Sequence, residues 1–327
     1  MIYLYFAAFI VAFAILFKSA SYFVDGASSI ARILNVPKLV IGIVLVGLGT
    51  TAPEFGVTLI AAIKGKGGLA IGNAIGSVIC DDGVALALAA IVAPAVIFVN
   101  CRILKAAGLF LISIDVLAYV LARNGRLGRI EGFCLVLILC LYYFFIIRNQ
   151  RRNQSRQDKE GIDSTSPERV TNQIDKNSLK RPVKLFLLGL ISVASMSFVV
   201  VEAAIKIAQF FEISEIIIGS TIVAIGTSLP EISTCITAAL KGEGEIAVGD
   251  IIGADILNIL WIIGVASLVK PIEVEQNIIN FSFPYMILIV VVMLLSMRIG
   301  CRLSKLKGFI LLAFYGFYIF LILKIFV

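Results

Sequence analysis

The chain has 327 residues, 60% of them apolar and only 15% charged, with a mean hydropathy of +1.04 and a formal net charge of +7. Soluble domains sit nearer 45–50% apolar and about 25% charged, so a soluble enzyme, a secreted module and a nucleic-acid binder are set aside as classes. Histidine is absent, which removes histidine-ligated haem and zinc, Ser-His-Asp chemistry and histidine proton relays.

In chain order, ten apolar segments approach the roughly 20 residues needed to cross a bilayer: 2–24, 37–63, 68–96, 103–122, 128–147, 183–210, 214–240, 246–268, 277–297 and 303–326. The first, IYLYFAAFIVAFAILF, has no basic leader and no convincing cleavage site and is kept as a span. The longest polar stretch, 149–181, is too short and too polar for a domain and is expected to be a loop with at most transient structure. The six cysteines (Cys80, Cys101, Cys134, Cys140, Cys235, Cys301) show no CxxC spacing and read as small apolar residues of helices. Placing the polar loop in the cytoplasm puts 19 Lys and Arg on its side and 8 on the other, with Lys18 unassigned. This bias predicts both termini outside a cell membrane, although Arg123, Arg126 and Arg129 run against it locally.

The two halves repeat one another. Residue n aligned with residue n+177 needs no gap from Val40–Asp81 to Ile217–Asn258, and 17 of 42 positions are identical. GLGTTAPEF falls on AIGTSLPEI, AAIKGKG on AALKGEG and AIGNAIGS on AVGDIIGA, with a fainter echo upstream that sets Asp25 on Glu202. Five spans separate equivalent helices, and because five is odd the copies enter the membrane in opposite directions. Inverted repeats of this kind mark alternating-access transporters. The expected organisation is a first five-helix repeat over 1–148 (motif 40–81), a cytoplasmic loop over 149–182, and a second five-helix repeat over 183–327 (motif 217–258).

Each motif sets Gly-Thr-(Thr/Ser)-x-Pro-Glu in the middle of a span. Pro53 has no N–H for the carbonyl of Gly49, nor Pro230 for that of Gly226, so the second and seventh helices should break there and release carbonyls at mid-depth. The hydroxyls of Thr50, Thr51, Thr227 and Ser228 add neutral oxygens beside them. Glu54 and Glu231 follow each proline. A carboxylate at the bilayer centre costs about 2.5–3.5 kcal/mol on insertion scales, and no Lys or Arg lies at matching depth in the adjacent spans. A mobile cation is the natural partner: two glutamates and hard oxygens suit one Ca²⁺ or two Na⁺ better than Mg²⁺. In the next helix of each half, small residues Gly72, Gly76, Gly249 and Gly253 should let it approach the broken helix closely. Ser77 and Asp81 share one face, as do Ala254 and Asn258. For Asn73 and Asp250, helix capping and ion contact are equally open readings.

These residues resemble the α-repeats of the sodium/calcium exchanger family, within the cation/calcium exchanger superfamily. The resemblance rests on GTTAPE with GNAIGS and on GTSLPE with GDIIGA, and it extends to the ten-span, two-half plan. It implies an all-α polytopic membrane protein of two inverted-topology five-helix repeats, with broken helices 2 and 7 at the ion site, that is a transporter and not an enzyme. Na⁺ entry would drive Ca²⁺ out through one shared midplane site, with no cofactor. By the same resemblance Glu54 and Glu231 match the calcium-binding glutamates, and Thr50 and Thr227 lend backbone carbonyls to calcium. Thr51, Ser77 and Ser228 match sodium-site hydroxyls, Gly47 and Ala224 match positions that lend a carbonyl, and Asp81 and Asn258 line the middle of the site.

Four positions depart from the family pattern. Ala254 replaces a serine, Val78 and Asp255 stand where asparagine is expected, and Asp81 adds a third carboxylate. Those three acids carry −3 when all ionise, one more than Ca²⁺ neutralises. Ca²⁺/H⁺ exchange on the same fold is therefore the alternative to Na⁺/Ca²⁺ exchange. An intramembrane aspartyl protease would need two paired aspartates, whereas the repeat duplicates glutamates and pairs Asp81 with Asn258. A passive channel has no need of the repeat. The expected partners are Ca²⁺ and Na⁺ as substrates and the lipid bilayer, with no nucleic acid, and a monomer is the working expectation.

Overall fold

A computed structural model describes residues 2–159, 176–211 and 224–326. The protein is helical: α1 (Ile2–Ile33), α2 (Lys38–Thr50), α3 (Ala52–Ile63), α4 (Gly67–Val92), α5 (Cys101–Ala122), α6 (Arg129–Lys159), α7 (Lys176–Phe210), α8 (Ala224–Thr227), α9 (Leu229–Leu240), α10 (Gly244–Val269), α11 (Ile278–Arg298) and α12 (Lys305–Phe326). Among the described residues eight helices are long and apolar enough to cross a membrane, and nine if α2 and α3, bent by 48° at Thr51, count as one span. The opening part of the expected 214–240 span lies outside the described residues.

Two expectations about the polar loop and the cysteines change. Helix α6 runs on to Lys159 and α7 begins at Lys176, so both ends of the 149–182 stretch are helical. The sequence RNQRRNQSRQDK has no Gly or Pro to stop a helix and is rich in good helix formers. Of the cysteines, Cys80 and Cys235 are buried apolar residues as expected, and Cys134 and Cys140 are exposed on α6. Cys101 and Cys301, however, form a disulfide across 200 residues of sequence. Their meeting follows from a short antiparallel pairing of β1 (Ile97–Phe98) with β4 (Arg302–Leu303), reinforced by Val99 N–H on the Cys301 carbonyl at 3.0 Å.

A second ribbon pairs β2 (Arg126–Leu127) with β3 (Ile272–Glu273). The two ribbons mark the two membrane faces. One, here the loop face, carries the turns at 34–37, 93–100, 241–243 and 299–304; the opposite face carries 64–66, 123–128 and 270–277.

Helices α4 and α10 form the centre, with 72% and 83% of their most apolar stretches buried, against 17% for α1, 17% for α6, 28% for α7 and 22% for α12. Backbone packs directly on backbone where α10 crosses α2. A methyl group on Gly42 would sit 2.6 Å from the Cα of Gly249, one on Gly47 would sit 2.9 Å from the amide of Ala254, and one on Gly253 would run into the carbonyl of Ile43. Gly249 and Gly253 thus do what the small-residue pattern predicted, but against α2, the broken helix of the other half. Gly72 and Gly76 meet nothing within 4 Å among the described residues.

Helices α1 and α7 pack antiparallel on each other at the periphery. Gly26 lies against the backbone of Phe186 and Gly189 against that of Phe23, with the two phenylalanine rings 4.6 Å apart.

Candidate cation site

The break between α2 and α3 builds the first half of the site. Thr51 leaves the helix with φ −74° and ψ 5°, Pro53 occupies the first turn of α3 where its missing N–H is harmless, and Glu54 follows in that turn. The second half copies this arrangement: Ser228 has φ −82° and ψ 8°, with Pro230 and Glu231 in the first turn of α9. Each glutamate therefore sits at a helix N-terminus, where the peptide dipoles favour negative charge.

The neighbouring helices add a matched irregularity. One turn of α4 widens to an i→i+5 turn over Asp81–Ala85, and one turn of α10 does the same over Asn258–Ile262. Asp81 and Asn258 are equivalent positions, so both widened turns begin at the residues expected to line the middle of the site. Single wide turns of this kind recur at functional sites because they rotate one side chain out of the regular pattern.

Thr50, Thr51, Glu54, Ser77, Asp81, Ser228, Glu231 and Asn258 are all buried. Both oxygens of Glu54, Glu231 and Asp81, both polar atoms of Asn258, and the hydroxyls of Ser77 and Ser228 have no hydrogen-bond partner of standard geometry. Glu231 is within electrostatic reach of Glu54 and Asp81, the Thr227 hydroxyl stands beside Glu54, and that of Ser228 beside Asp81. So many buried, unsatisfied oxygens in one place are costly unless something positive sits among them. Among the described residues no three Asp, Glu or Cys side chains form a ready metal cluster, so any cage must be completed by neutral oxygens.

Other predicted residues are held by the protein itself. The Thr51 hydroxyl donates to the Gly47 carbonyl at 2.9 Å, and that carbonyl also receives the Thr51 N–H at 3.1 Å. The Gly47 carbonyl is thus already engaged, and only its remaining lone-pair capacity is left for an ion. Ala224 is the first described residue of α8. The Thr50 hydroxyl donates to Asp250 Oδ1 at 3.0 Å, which leaves the Thr50 carbonyl as its contribution to a cage. Asp250, read from sequence as either cap or ligand, is a buried anchor that also accepts from the Cys235 thiol at 3.7 Å. Asn73 donates to Thr58 Oγ1 at 3.0 Å and to the Glu54 carbonyl at 3.4 Å, tying α4 to α3.

Sequence reasoning missed Asp82 and Asp115. Both are fully buried, as is Asp255, and none of their carboxyl oxygens has a partner of standard geometry. The Asp82 and Asp255 carboxyls face one another, and Asp115 lies within electrostatic reach of Asp82. An acidic residue inside an apolar span is a functional candidate by default, and that rule alone would have flagged both. Two surface clefts, one along Asn124–Glu131 and one between Ala62–Leu69 and Lys270–Glu275, open on the opposite face and include neither Glu54 nor Glu231.

Comparison with known proteins identifies the family and the overall fold. The family described as sodium/calcium exchanger protein matches residues 4–148 and 182–324. The inner membrane protein YrbG of Escherichia coli (strain K12) is 34% identical over 88% of this chain and 86% of its own. The sodium/calcium exchanger MaX1 of Methanosarcina acetivorans is 29% identical over 92% and 93%. The structure of the sodium-calcium exchanger NCX_Mj soaked with 2.5 mM Na⁺ and 0.1 mM Ca²⁺ superposes with a TM-score of 0.81 at 28% identity, covering 98% of both chains. A multi-pass membrane protein and a transporter by fold, the chain belongs to the sodium/calcium exchanger family.

Proposed function

We propose that the chain is a secondary antiporter that exchanges Na⁺ for Ca²⁺ by alternating access through one midplane site. The observation that carries this reading is the pair of buried glutamates, Glu54 and Glu231, at matched helix starts, with no hydrogen bond of standard geometry to their carboxyl oxygens and no ion-pair partner among the described residues. Both ion pairs found among the described residues lie at helix ends, away from the site. In this reading Glu54, Glu231 and the carbonyls of Thr50 and Thr227 hold Ca²⁺. Thr51, Ser77 and Ser228 serve Na⁺ with the carbonyls of Gly47 and Ala224, and Asp81 and Asn258 line the centre. The chain comprises ten spans in two inverted five-helix repeats, 1–148 and 183–327, joined by the 149–182 loop, with breaks at Thr51 and Ser228. It acts as a monomer.

The basic count places the loop face in the cytoplasm and both termini outside. The Cys101–Cys301 pair lies on that same face. Strand pairing fixes the closeness of the two sulfurs, while the compartment decides whether they are thiols or a disulfide.

Ca²⁺/H⁺ exchange is the second reading, favoured by one observation: Asp81 brings a third unpaired carboxyl to the same enclosure. The experiment is ⁴⁵Ca²⁺ uptake into proteoliposomes, comparing an outward Na⁺ gradient with an outward H⁺ gradient. Uptake driven only by Na⁺ is the expected result and makes Asp81 a tuning residue. Uptake driven by H⁺ alone overturns the first reading and makes Asp81 the proton carrier. Uptake with neither gradient overturns exchange altogether.

A further inference from the structure

The two peripheral helices are not equally tied down. On the loop face, α1 is fastened to the turn between α9 and α10. Lys241 Nζ lies 2.6 Å from Asp25 Oδ1 and donates to the Ser21 carbonyl at 2.9 Å. Two residues on, Glu243 pairs with Lys38 and accepts the Ser28 hydroxyl at 2.8 Å, while Arg32 donates to that same serine oxygen at 3.3 Å. Partial burial works to raise the Glu243 carboxyl, but Lys38 and Ser28 outweigh it and hold it below the ordinary glutamate value, so the contact is ionic at neutral pH.

The register n+177 carries this fastening to the opposite face. Lys241 is equivalent to Lys64, in the turn between α3 and α4, and Asp25 is equivalent to Glu202 on α7. The lysine is identical and the acid is conserved in charge. At the sequence level a second pair is preserved with its charges exchanged: Lys38 and Glu243 become Glu215, outside the described residues, and Lys66. Yet Lys64 and Glu202 are both exposed, and among the described residues neither has an ion-pair partner. Glu202 stands eight residues before the end of α7, inside a helix otherwise suited to lipid. An unpaired acid there is unfavourable and needs a reason.

We propose that Lys64 and Glu202 form an ionic latch on the opposite face that closes when the Lys241–Asp25 latch on the loop face opens, so that the two latches alternate with the two access states. The inference rests on the inverted-repeat reading of the two halves and deepens it. Applying the geometry of one half to the other brings Glu202 to Lys64 just as Asp25 is brought to Lys241. Each transition then breaks one lysine–carboxylate pair and makes another, which keeps the two states close in free energy. An exchanger needs that balance, because a ligand shifts the equilibrium only by its differential affinity for the two states.

The test uses two double-cysteine variants of the full chain in lipid, K64C/E202C and D25C/K241C, in a background with Cys101, Cys134, Cys140 and Cys301 replaced by serine. A short bifunctional thiol reagent is applied under Na⁺ alone, Ca²⁺ alone and neither. The expected result is reciprocal: conditions that raise crosslinking of one pair lower it for the other, and in a four-cysteine variant the two crosslinks do not occur in the same molecule. Failure of K64C/E202C to crosslink under every condition, or both crosslinks in one molecule, overturns the proposal. Independently, E202Q and K64Q are each expected to slow ⁴⁵Ca²⁺ exchange about two- to fivefold, the scale of an exposed ion pair, with equilibrium ⁴⁵Ca²⁺ binding in detergent unchanged. The charge swap K64E/E202K is expected to recover the rate; no recovery counts against the latch. A wild-type chain that exchanges normally while these variants behave like wild type sinks the latch alone, whereas a wild-type chain without exchange sinks the functional reading beneath it.

Discussion

At Glu54 and Glu231 the side chain, the backbone and the dipole point the same way. Each carboxyl sits in the first turn of a helix that starts inside the molecule, is fully buried, and has no hydrogen bond of standard geometry among the described residues. Removing the charge from one member of a buried, mutually dependent set costs about 2–5 kcal/mol, which is roughly 30-fold or more in an equilibrium constant. Glu54→Gln and Glu231→Gln are each expected to abolish measurable Ca²⁺ uptake in proteoliposomes while the protein still elutes as a folded species from size exclusion. Retained uptake in either variant would refute a shared site. These two residues were legible in the sequence because a carboxylate after a mid-span proline has no bland explanation once it occurs twice in register. Asp82 and Asp115 were legible only as single acids inside apolar spans, not as a group. They occur once each, Asp82 falls on Ile259 in the other half, and their approach to Asp255 depends on how α4, α5 and α10 pack, which no local spacing encodes. The Cys101–Cys301 pair escaped for the same reason, since only the β1–β4 pairing brings the two sulfurs together.

At the scale of elements, the crossing of α2 and α10 is set by glycines that let two backbones touch. Gly253 is hard to relieve, because the atoms its Cβ would meet are the Ile43 backbone carbonyl and Cα, which cannot swing aside as a side-chain tip can. Forcing a methyl group into such a contact costs about 1–3 kcal/mol through backbone displacement. Gly316, on the exposed side of α12, meets nothing within 4 Å among the described residues, and there an alanine gains about 0.8–1.0 kcal/mol of helix propensity. Thermal unfolding in detergent is expected to drop for Gly253→Ala and to hold or rise for Gly316→Ala. Equal behaviour of the two would mean that the α2–α10 contact does not set stability. The sequence carried the motif of small residues but not its partner: the pattern Gly-x-x-x-Gly says that something comes close, not which helix does. Pro53 and Pro230 were legible as interruptions, because proline is a local cause with a local effect, and Thr51 and Ser228, two residues before them, take non-helical ψ angles. The widened turns at Asp81 and Asn258 were not legible, since nothing in DDGVA or NILWI forbids an ordinary helix.

For the whole molecule, the division that matters is between a buried centre and a peripheral pair. Helices α4 and α10, with α2, α3, α8 and α9 and the breaks at Thr51 and Ser228 around them, carry every residue proposed to touch an ion, whereas α1 and α7 carry none. The pair contacts itself closely: Leu16, Ala20 and Val193 form their own apolar cluster, and Phe23 and Phe186 stack beside Gly26 and Gly189. Under the alternating-access reading, one part must move while another keeps the site intact, and a buried centre with a peripheral pair fits that need. If α1 and α7 slide across the centre as one body, a tie within the pair is harmless and a tie from the pair to the centre is not. Crosslinking A20C to V193C, which face each other inside the peripheral pair, is expected to leave ⁴⁵Ca²⁺ exchange at the rate of the untreated protein. Crosslinking D25C to K241C, which joins α1 to the turn before α10, is expected to stop exchange while equilibrium ⁴⁵Ca²⁺ binding persists. Exchange that survives the second tie would mean that α1 does not move relative to the centre. Exchange lost with the first would mean that α1 and α7 move separately, each with its own half of the repeat.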